Sequence, residues 1–322
     1  MNITIVGAGI AGLSAAFELQ QSGFEVMLLE GSERLGGKIL TSEIEGFNID
    51  AGPDSFLTRD PEMRELCFSL GVGDELVPPT GKPAKVWVDG EMHNLPKRHF
   101  LGVPLDLDEL DELSLLTQEG AKRAKLDLTL PDNKPKEGET VGSLIRRRLG
   151  DEVMDRLVGP LLGGINAGDA DDLCLESGVP QLFDASQRDF SLVRSVQNFL
   201  KDQNRDPASP VFLTHPDGLQ TVVKRLEEEI DSDIRRNERV TSVEISDNSI
   251  LVKGSQEYQT DAVILCIPAF VAAKLLQDSC PDTSNLLAKI QYASMAFITF
   301  AFNKGDVPQF NGSGFLIGRD EN

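Results

Sequence analysis

The run Ile3-Thr4-Ile5-Val6-Gly7-Ala8-Gly9-Ile10-Ala11-Gly12 sets an apolar strand directly before GxGxxG, and the acid Glu30 closes a second apolar run, Val26-Met27-Leu28-Leu29. Those residue types at that spacing bind a dinucleotide. Gly7 permits the tight turn after the strand, Gly9 lets a pyrophosphate approach the backbone, and Gly12 lets the helix pack close to the strand. The diphosphate then rests on free N–H groups at the helix N-terminus, which makes the whole stretch from Gly7 through Ala8, Ile10 and Ala11 to Gly12 cofactor-binding. Glu30, about 20 residues further on, accepts hydrogen bonds from an adenosine ribose. An acid there, where an arginine would greet a 2′-phosphate, argues against a phosphorylated ribose. The elements that must position these groups are a strand, an amphipathic helix over roughly 13–24 and a second strand, a βαβ unit.

Length and charge bound what else the chain does. At 322 residues and 40% hydrophobic it is too long for one typical domain and ample for two cores. A formal charge of −21 opposes binding to nucleic acid or to an anionic membrane surface, so an anionic substrate must meet local basic residues. Cys67, Cys174, Cys266 and Cys280 show no CxxC spacing and fit a reduced compartment. With His93, His99 and His215 as its histidines and no His/Cys cluster, the chain is expected to hold no metal. It opens on a strand, lacks a basic n-region and has no apolar run of the ~20 residues needed to span a bilayer, so a cytoplasmic protein with no transmembrane segment is expected.

Further along, Leu76-Val77-Pro78-Pro79-Thr80-Gly81-Lys82-Pro83 reads as a crossing between domains, and Val86-Trp87-Val88 before Asp89-Gly90 reads as a hairpin. Residues 105–205 are mostly helical, with Leu144, Ile145, Leu149, Val153 and Leu157 at helix spacing. Interleaved Arg146-Arg147-Arg148 reads as a solvated face, and Asp127 to Gly138 as a polar loop. Strands are expected at Val211–Thr214, Arg239–Ile245 and Asp261–Pro268, a helix from Val222, and a long β-patterned run from Tyr292 to Phe302.

Glu30-Gly31-Ser32-Glu33-Arg34-Leu35-Gly36-Gly37-Lys38 reads ExxxRxGGK and resembles the glutathione-reductase-like, amine-oxidase-type flavoproteins that bind FAD. The resemblance implies that Gly31, Arg34, Gly37 and Lys38 lie against the cofactor. Asp50-Ala51-Gly52-Pro53-Asp54-Ser55-Phe56 is similar to the DxGPDSF segment of the oxygen-dependent coproporphyrinogen III and protoporphyrinogen oxidases, which implies that the backbone of Gly52, Pro53, Asp54 and Ser55 lies along the flavin. Pro160-Leu161-Leu162-Gly163-Gly164-Ile165-Asn166-Ala167-Gly168-Asp169, with Leu173 and Pro180-Gln181-Leu182 behind it, resembles a signature of the same family. By resemblance, too, Val240 offers its backbone to the adenine, Asp261-Ala262-Val263-Ile264 matches a family strand, and Gly312-Ser313-Gly314-Phe315-Leu316 matches a stretch of the substrate-domain sheet.

The fold implied is α/β: a glutathione-reductase-like, Rossmann-type FAD-binding domain, and a discontinuous α+β substrate domain with a helical insertion. The expected boundaries are 1–80 and 211–275 for FAD, and 81–210 and 276–322 for substrate. The family's closing FAD element has no counterpart in the 322 residues, so the chain reads as a C-terminally truncated member. The implied activity is FAD-mediated, six-electron oxidation of coproporphyrinogen III to coproporphyrin III in haem biosynthesis, with O2 as acceptor and hydrogen peroxide released. Such chemistry needs orientation and electrostatics from the protein and no nucleophile, and no catalytic side chain is singled out. Candidate partners for the substrate carboxylates are Arg59, Lys97 and Arg98. His93 stands where some relatives carry arginine, and Gly102-Val103-Pro104 resembles a stretch of Gram-positive bacterial members; both favour the coproporphyrinogen branch. The alternatives are a protoporphyrinogen IX oxidase, another flavin enzyme such as an amine oxidase or desaturase, and a flavin-less remnant.

Overall fold

In the computed structural model, which describes residues 1–81, 83–131, 134–202, 210–246, 249–303, 305–307 and 311–319, the chain divides into two units. Unit 1 is Met1–Pro79 with Pro210–Tyr292, and unit 2 is Thr80–Ser209 with Ala293–Asn322. Lys82 of the proline-rich crossing and Asp132-Asn133 of the expected loop lie outside the described residues.

Strands buried on both faces read as continuous apolar runs, and Ile3-Thr4-Ile5-Val6 and Val26-Met27-Leu28-Leu29 are such runs. They pair in parallel, Val6 opposite Leu29, inside a four-stranded sheet ordered Asp233–Arg235, Glu25–Leu29, Asn2–Val6, Ala262–Leu265. Helices Ile10–Gln21 and Gln220–Glu229 cover one face, bringing Leu13, Phe17, Val222 and Leu226 into a core with Ile5 and Leu28. On the other face Val6 and Leu29 meet Val243 and Val252 of an antiparallel meander and Leu275 of helix Ala269–Leu275. The boundary expected at 275 falls later. Helix Pro281–Leu287 packs on Ala269–Leu275, where the Ser284 hydroxyl donates to the Ala273 carbonyl at 2.7 Å, so the chain stays with unit 1 to Tyr292.

The β-patterned run Tyr292–Phe302 forms no strand. Met295, Phe297, Ile298, Phe300 and Phe302 are exposed, and among the described residues no strand pairs with it. A strand holds only when a neighbour satisfies its N–H and C=O groups, and residue type alone supplies no neighbour.

In unit 2 the Asp-Gly turn forms as expected. Asp89 and Gly90 take φ 52° and 82°, the left-handed pair of a type I′ turn joining Lys85–Val88 to Glu91–Asn94. Phe315–Ile317 adds in parallel beside Lys85–Val88. Around this sheet lie helices including Val141–Leu149, Gly159–Asn166 and Leu192–Asp202, with a core built on Leu144, Ile145, Leu149, Leu157, Leu182 and Val196. The helix read through 144–157 stops at Gly150, at φ 95°, and resumes at Asp151 before a π-helical turn, Met154–Val158. Among the described residues no helix is long and apolar enough to cross a membrane.

Two expectations fail here, each at one residue and for one reason. Arg148 is not solvated: it is 2% exposed, its Nε donates to Asp127 Oδ1 at 2.6 Å, and its Nη2 donates to the carbonyls of Asp127 and Phe190, each at 2.8 Å. Asp127 is not loop but a fully buried residue of the 3-10 turn Leu126–Leu128. Its carboxylate also takes the Ser191 hydroxyl at 2.6 Å and the N–H groups of Leu192 and Val193 at 3.1 and 3.0 Å, capping helix Leu192–Asp202. Arg148 sits four residues after Leu144, on the apolar face, and a buried charge persists only when paired and fully hydrogen-bonded. Arg147 is held by Glu139 at 2.6 Å, and Arg146 by Asp151, Asp155 and Asp171 at 3.0, 2.6 and 2.8 Å.

Candidate cofactor site

The three motif glycines have three different reasons. A Cβ on Gly7 would stand 2.6 Å from the Cys266 carbonyl oxygen, and its φ is +98°. On Gly12 a Cβ would stand 1.9 Å from the Gly7 carbonyl oxygen. Both are imposed by the chain's own packing. Gly9 has φ −70° and ψ 178°, which any residue adopts, and the nearest atom to a Cβ there is the Gly37 Cα at 3.9 Å. Nothing among the described residues requires glycine at 9. Gly9 caps helix Ile10–Gln21, whose first turn carries no acid and no capping side chain, so the N–H groups of this helix start have no side-chain acceptor of their own.

Glu30 holds the turn. Its Oε2 accepts the Ala8 N–H at 2.9 Å, and its Oε1 accepts the N–H and hydroxyl of Ser32 at 2.8 and 2.7 Å. A carboxylate has about four acceptor positions, so with three donors in place one remains open. Gly31 lies beside Arg239, 3.6 Å from where its Cβ would be, which brings residue 240 next to the acid. The strand expected over Arg239–Ile245 begins only at Ser242. Among the described residues Val240 therefore has no partner for its N–H or C=O, whereas the Thr241 N–H already bonds to the Lys253 carbonyl at 2.7 Å.

Arg34 braces the next loop, its Nη1 donating to the carbonyls of Leu35 at 3.0 Å and Ile39 at 2.8 Å and its Nη2 to that of Gly37. So fixed, the second glycine pair lies on the first: the Gly36 N–H bonds to the Ala8 carbonyl at 2.8 Å, and a Cβ on Gly37 would stand 3.0 Å from the Gly9 Cα. Gly52 in turn stacks on Lys38, with 2.0 Å between the Lys38 carbonyl oxygen and a Cβ at 52. Pro53 is exposed, the Asp54 carbonyl accepts the Thr214 hydroxyl at 2.6 Å, and the Ser55 hydroxyl donates to the Asp54 carboxylate at 3.0 Å. Residues 7–12, 30–38, 52–55 and 240 are thus neighbours within unit 1. Sequence reasoning missed the clasp that closes this loop, in which the Thr41 N–H donates to Gln220 Oε1 at 2.9 Å and the Gln220 N–H to the Thr41 hydroxyl at 3.2 Å. No motif marks a contact between residues 179 apart.

The substrate candidates divide between the two units. Arg59, in unit 1, is turned onto its neighbour Asp60, its Nη2 2.8 Å from that carboxylate, which the guanidinium holds below the usual carboxylate range. Lys97 and Arg98, in unit 2, line a hollow of about 310 Å³ with Asp106, Asp108, Glu109 and Glu112. His93 is buried, its rings nitrogens 2.8 Å from the Ser114 hydroxyl and 3.2 Å from the Val88 carbonyl, a structural residue. A larger cavity in unit 2, about 1040 Å³, is bordered by the signature segment: Pro160 and Gly163 of its helix, then Asp169 and Asp171. Its arginines are all paired, Arg146 as above, Arg156 with Asp89 at 3.0 Å and Arg319 with Asp169. Hydrogen bonds from Arg146 push the Asp171 carboxyl down from its ordinary value. A Cβ on Gly164 would stand 2.9 Å from the Leu316 Cδ2, the end of a side chain that can shift.

The chain is similar to several known proteins. Residues 10–314 match the flavin containing amine oxidoreductase family. The chain is 32% identical to coproporphyrinogen III oxidase of Bacillus subtilis, spanning 99% of this chain and 70% of that one, and 29% identical to the enzyme of that name from Staphylococcus aureus, spanning 99% and 71%. Among solved structures, a protein of Exiguobacterium sp. 255-15 assigned as a protoporphyrinogen oxidase superposes with a TM-score of 0.83 at 29% identity, over 99% of this chain and 70% of that one.

Proposed function

The chain belongs to the flavin containing amine oxidoreductases and is an FAD-dependent oxidoreductase of α/β fold, and from that premise we propose that it dehydrogenates a porphyrinogen in haem biosynthesis, with coproporphyrinogen III as substrate and coproporphyrin III as product. The observation that carries this reading is the likeness, over 99% of the chain, to two enzymes of that name.

The residues present fit FAD, on the evidence of a Gly9 that packing among the described residues does not require and a Val240 whose backbone lacks a partner among them. Gly9 and the helix start behind it would hold the diphosphate, Glu30 the ribose, Val240 the adenine, and the Gly52–Ser55 backbone the flavin side. When bound, the flavin supplies a hydride acceptor. Unit 1 is then the FAD-binding part and unit 2 the substrate part. The protein's own task is to hold the macrocycle and meet its carboxylates; Arg59, Lys97 and Arg98 remain the proposed partners, Arg59 needing to exchange Asp60 for a propionate. O2 is the proposed electron acceptor, hydrogen peroxide the by-product and the cytoplasm the proposed location.

The second reading, protoporphyrinogen IX oxidase, is favoured by the Exiguobacterium structure. Aerobic incubation of FAD-loaded protein with each porphyrinogen, reading porphyrin fluorescence and peroxide, separates the two. Faster appearance of coproporphyrin III supports the proposal, a preference for protoporphyrinogen IX moves the chain to the other branch, and no porphyrin from either substrate overturns both.

A further inference from the structure

Lys38 follows the second glycine pair in a chain of net charge −21. Its backbone lies at the cradle, after Gly37, which touches Gly9, and under Gly52. Its ammonium lies 5.9 Å from the centre of the Tyr292 ring, within the ~6 Å over which an aromatic face attracts a cation. That ring is fixed from two sides. Its hydroxyl accepts the Ala269 N–H at 2.9 Å, and the Phe270 ring meets it edge-on, centroids 5.3 Å apart and planes at 90°.

Ala269 and Phe270 follow strand Ala262–Leu265 closely, just past the Cys266 carbonyl that borders Gly7. The aromatic pair thus belongs to the C-terminal edge of the parallel sheet, where open α/β sheets bind their ligands. Both rings are 47% exposed, so neither is held by burial in a core. Fixing an exposed side chain costs rotamer entropy, and a lysine stem left alone would spread its charge over a wide volume.

We propose that Tyr292 is a positioning residue whose ring keeps the Lys38 ammonium beside the glycine cradle, where that charge meets the diphosphate of the bound dinucleotide. The inference rests on the FAD reading above. It goes beyond it in assigning a task to a residue outside every nucleotide-binding motif.

The test is calorimetric titration of ADP and of FAD into the wild-type chain, Lys38→Met, Tyr292→Leu, Tyr292→Phe and the Lys38→Met/Tyr292→Leu double variant, at two salt concentrations, with circular dichroism to verify folding. Lys38→Met is expected to weaken ADP and FAD by the same factor, about tenfold or more, and to flatten the salt dependence. Tyr292→Leu should weaken both about two- to fivefold, and Tyr292→Phe, which keeps the ring, less. The double variant should bind no more weakly than Lys38→Met, because Tyr292 acts through Lys38. ADP affinity of Lys38→Met within about twofold of wild type, or additive losses in the double variant, overturns the proposal while leaving the cofactor reading intact. A wild-type chain that binds neither ADP nor FAD overturns the cradle assignment and this inference with it.

Discussion

The glycine cradle of unit 1 and the arginine-bearing helix of unit 2 both hold separate elements together, by opposite means. In unit 1 backbone meets backbone with no side chain between: Gly12 on the Gly7 carbonyl, Gly37 on Gly9, Gly52 on the Lys38 carbonyl. In unit 2 long guanidinium side chains do the bridging, Arg148 to Asp127 and Phe190, Arg147 to Glu139, Arg146 to three aspartates. A steric contact fails when one methyl is added. A charged contact fails when one partner is removed, because the other is left without its counterion, and surface pairs weaken with acid and salt while a buried pair does not tolerate loss at all.

The largest effect expected from this contrast is at Arg148. Arg148→Met leaves the Asp127 carboxylate buried with hydroxyl and N–H donors alone, and should destabilise the chain by about 3–5 kcal/mol in urea unfolding. Arg146→Met removes a side chain 31% exposed and should cost far less. Equal costs at 146 and 148 would break the distinction between buried and surface arginines.

Within unit 1 the matching test sets Gly12 against Gly9. Gly12→Ala drives a methyl into the Gly7 carbonyl and should cost about 2–3 kcal/mol in a thermal melt. Gly9→Ala has room within the protein, so its stability should change by less than about 1 kcal/mol while FAD affinity falls at least about tenfold. Loss of stability at both, with no separate effect on FAD, would make Gly9 another packing glycine.

Glu30→Ala sharpens the same point, since Glu30 serves both the turn and the proposed ribose contact. FAD affinity should drop about ten- to a hundredfold, from loss of charged hydrogen bonds worth about 1.5–3 kcal/mol, and stability by about 1 kcal/mol as the Ala8 N–H loses its acceptor. Flavin fluorescence titration alongside a melt reads the two separately.

The smallest effect is acid sensitivity of the surface network. Arg146 lowers the Asp171 carboxyl below its ordinary 3.8, so the pair's stabilisation is present above that value and is lost as pH falls through the lowered one. Asp171 is 43% exposed, and solvent screening keeps the effect under about 1 kcal/mol. The stability gap between wild type and Arg146→Met should therefore narrow as pH is taken below about 4, and a gap that widens would assign the shift to another partner.

Sequence alone determined the βαβ start and the Asp89-Gly90 turn, and it singled out the glycines and the acid proposed for the nucleotide site, because each depends on local backbone geometry that few residue types adopt. Tertiary structure decided the rest. It separated Gly9 from Gly7 and Gly12 by what each would strike, buried Arg148 while leaving Arg146 near the surface, turned Arg59 onto Asp60, and left Tyr292–Phe302 without a strand partner. A side chain's burial, its counterion and a strand's neighbour are supplied by residues tens to hundreds of positions away, and the type of a residue carries no record of them.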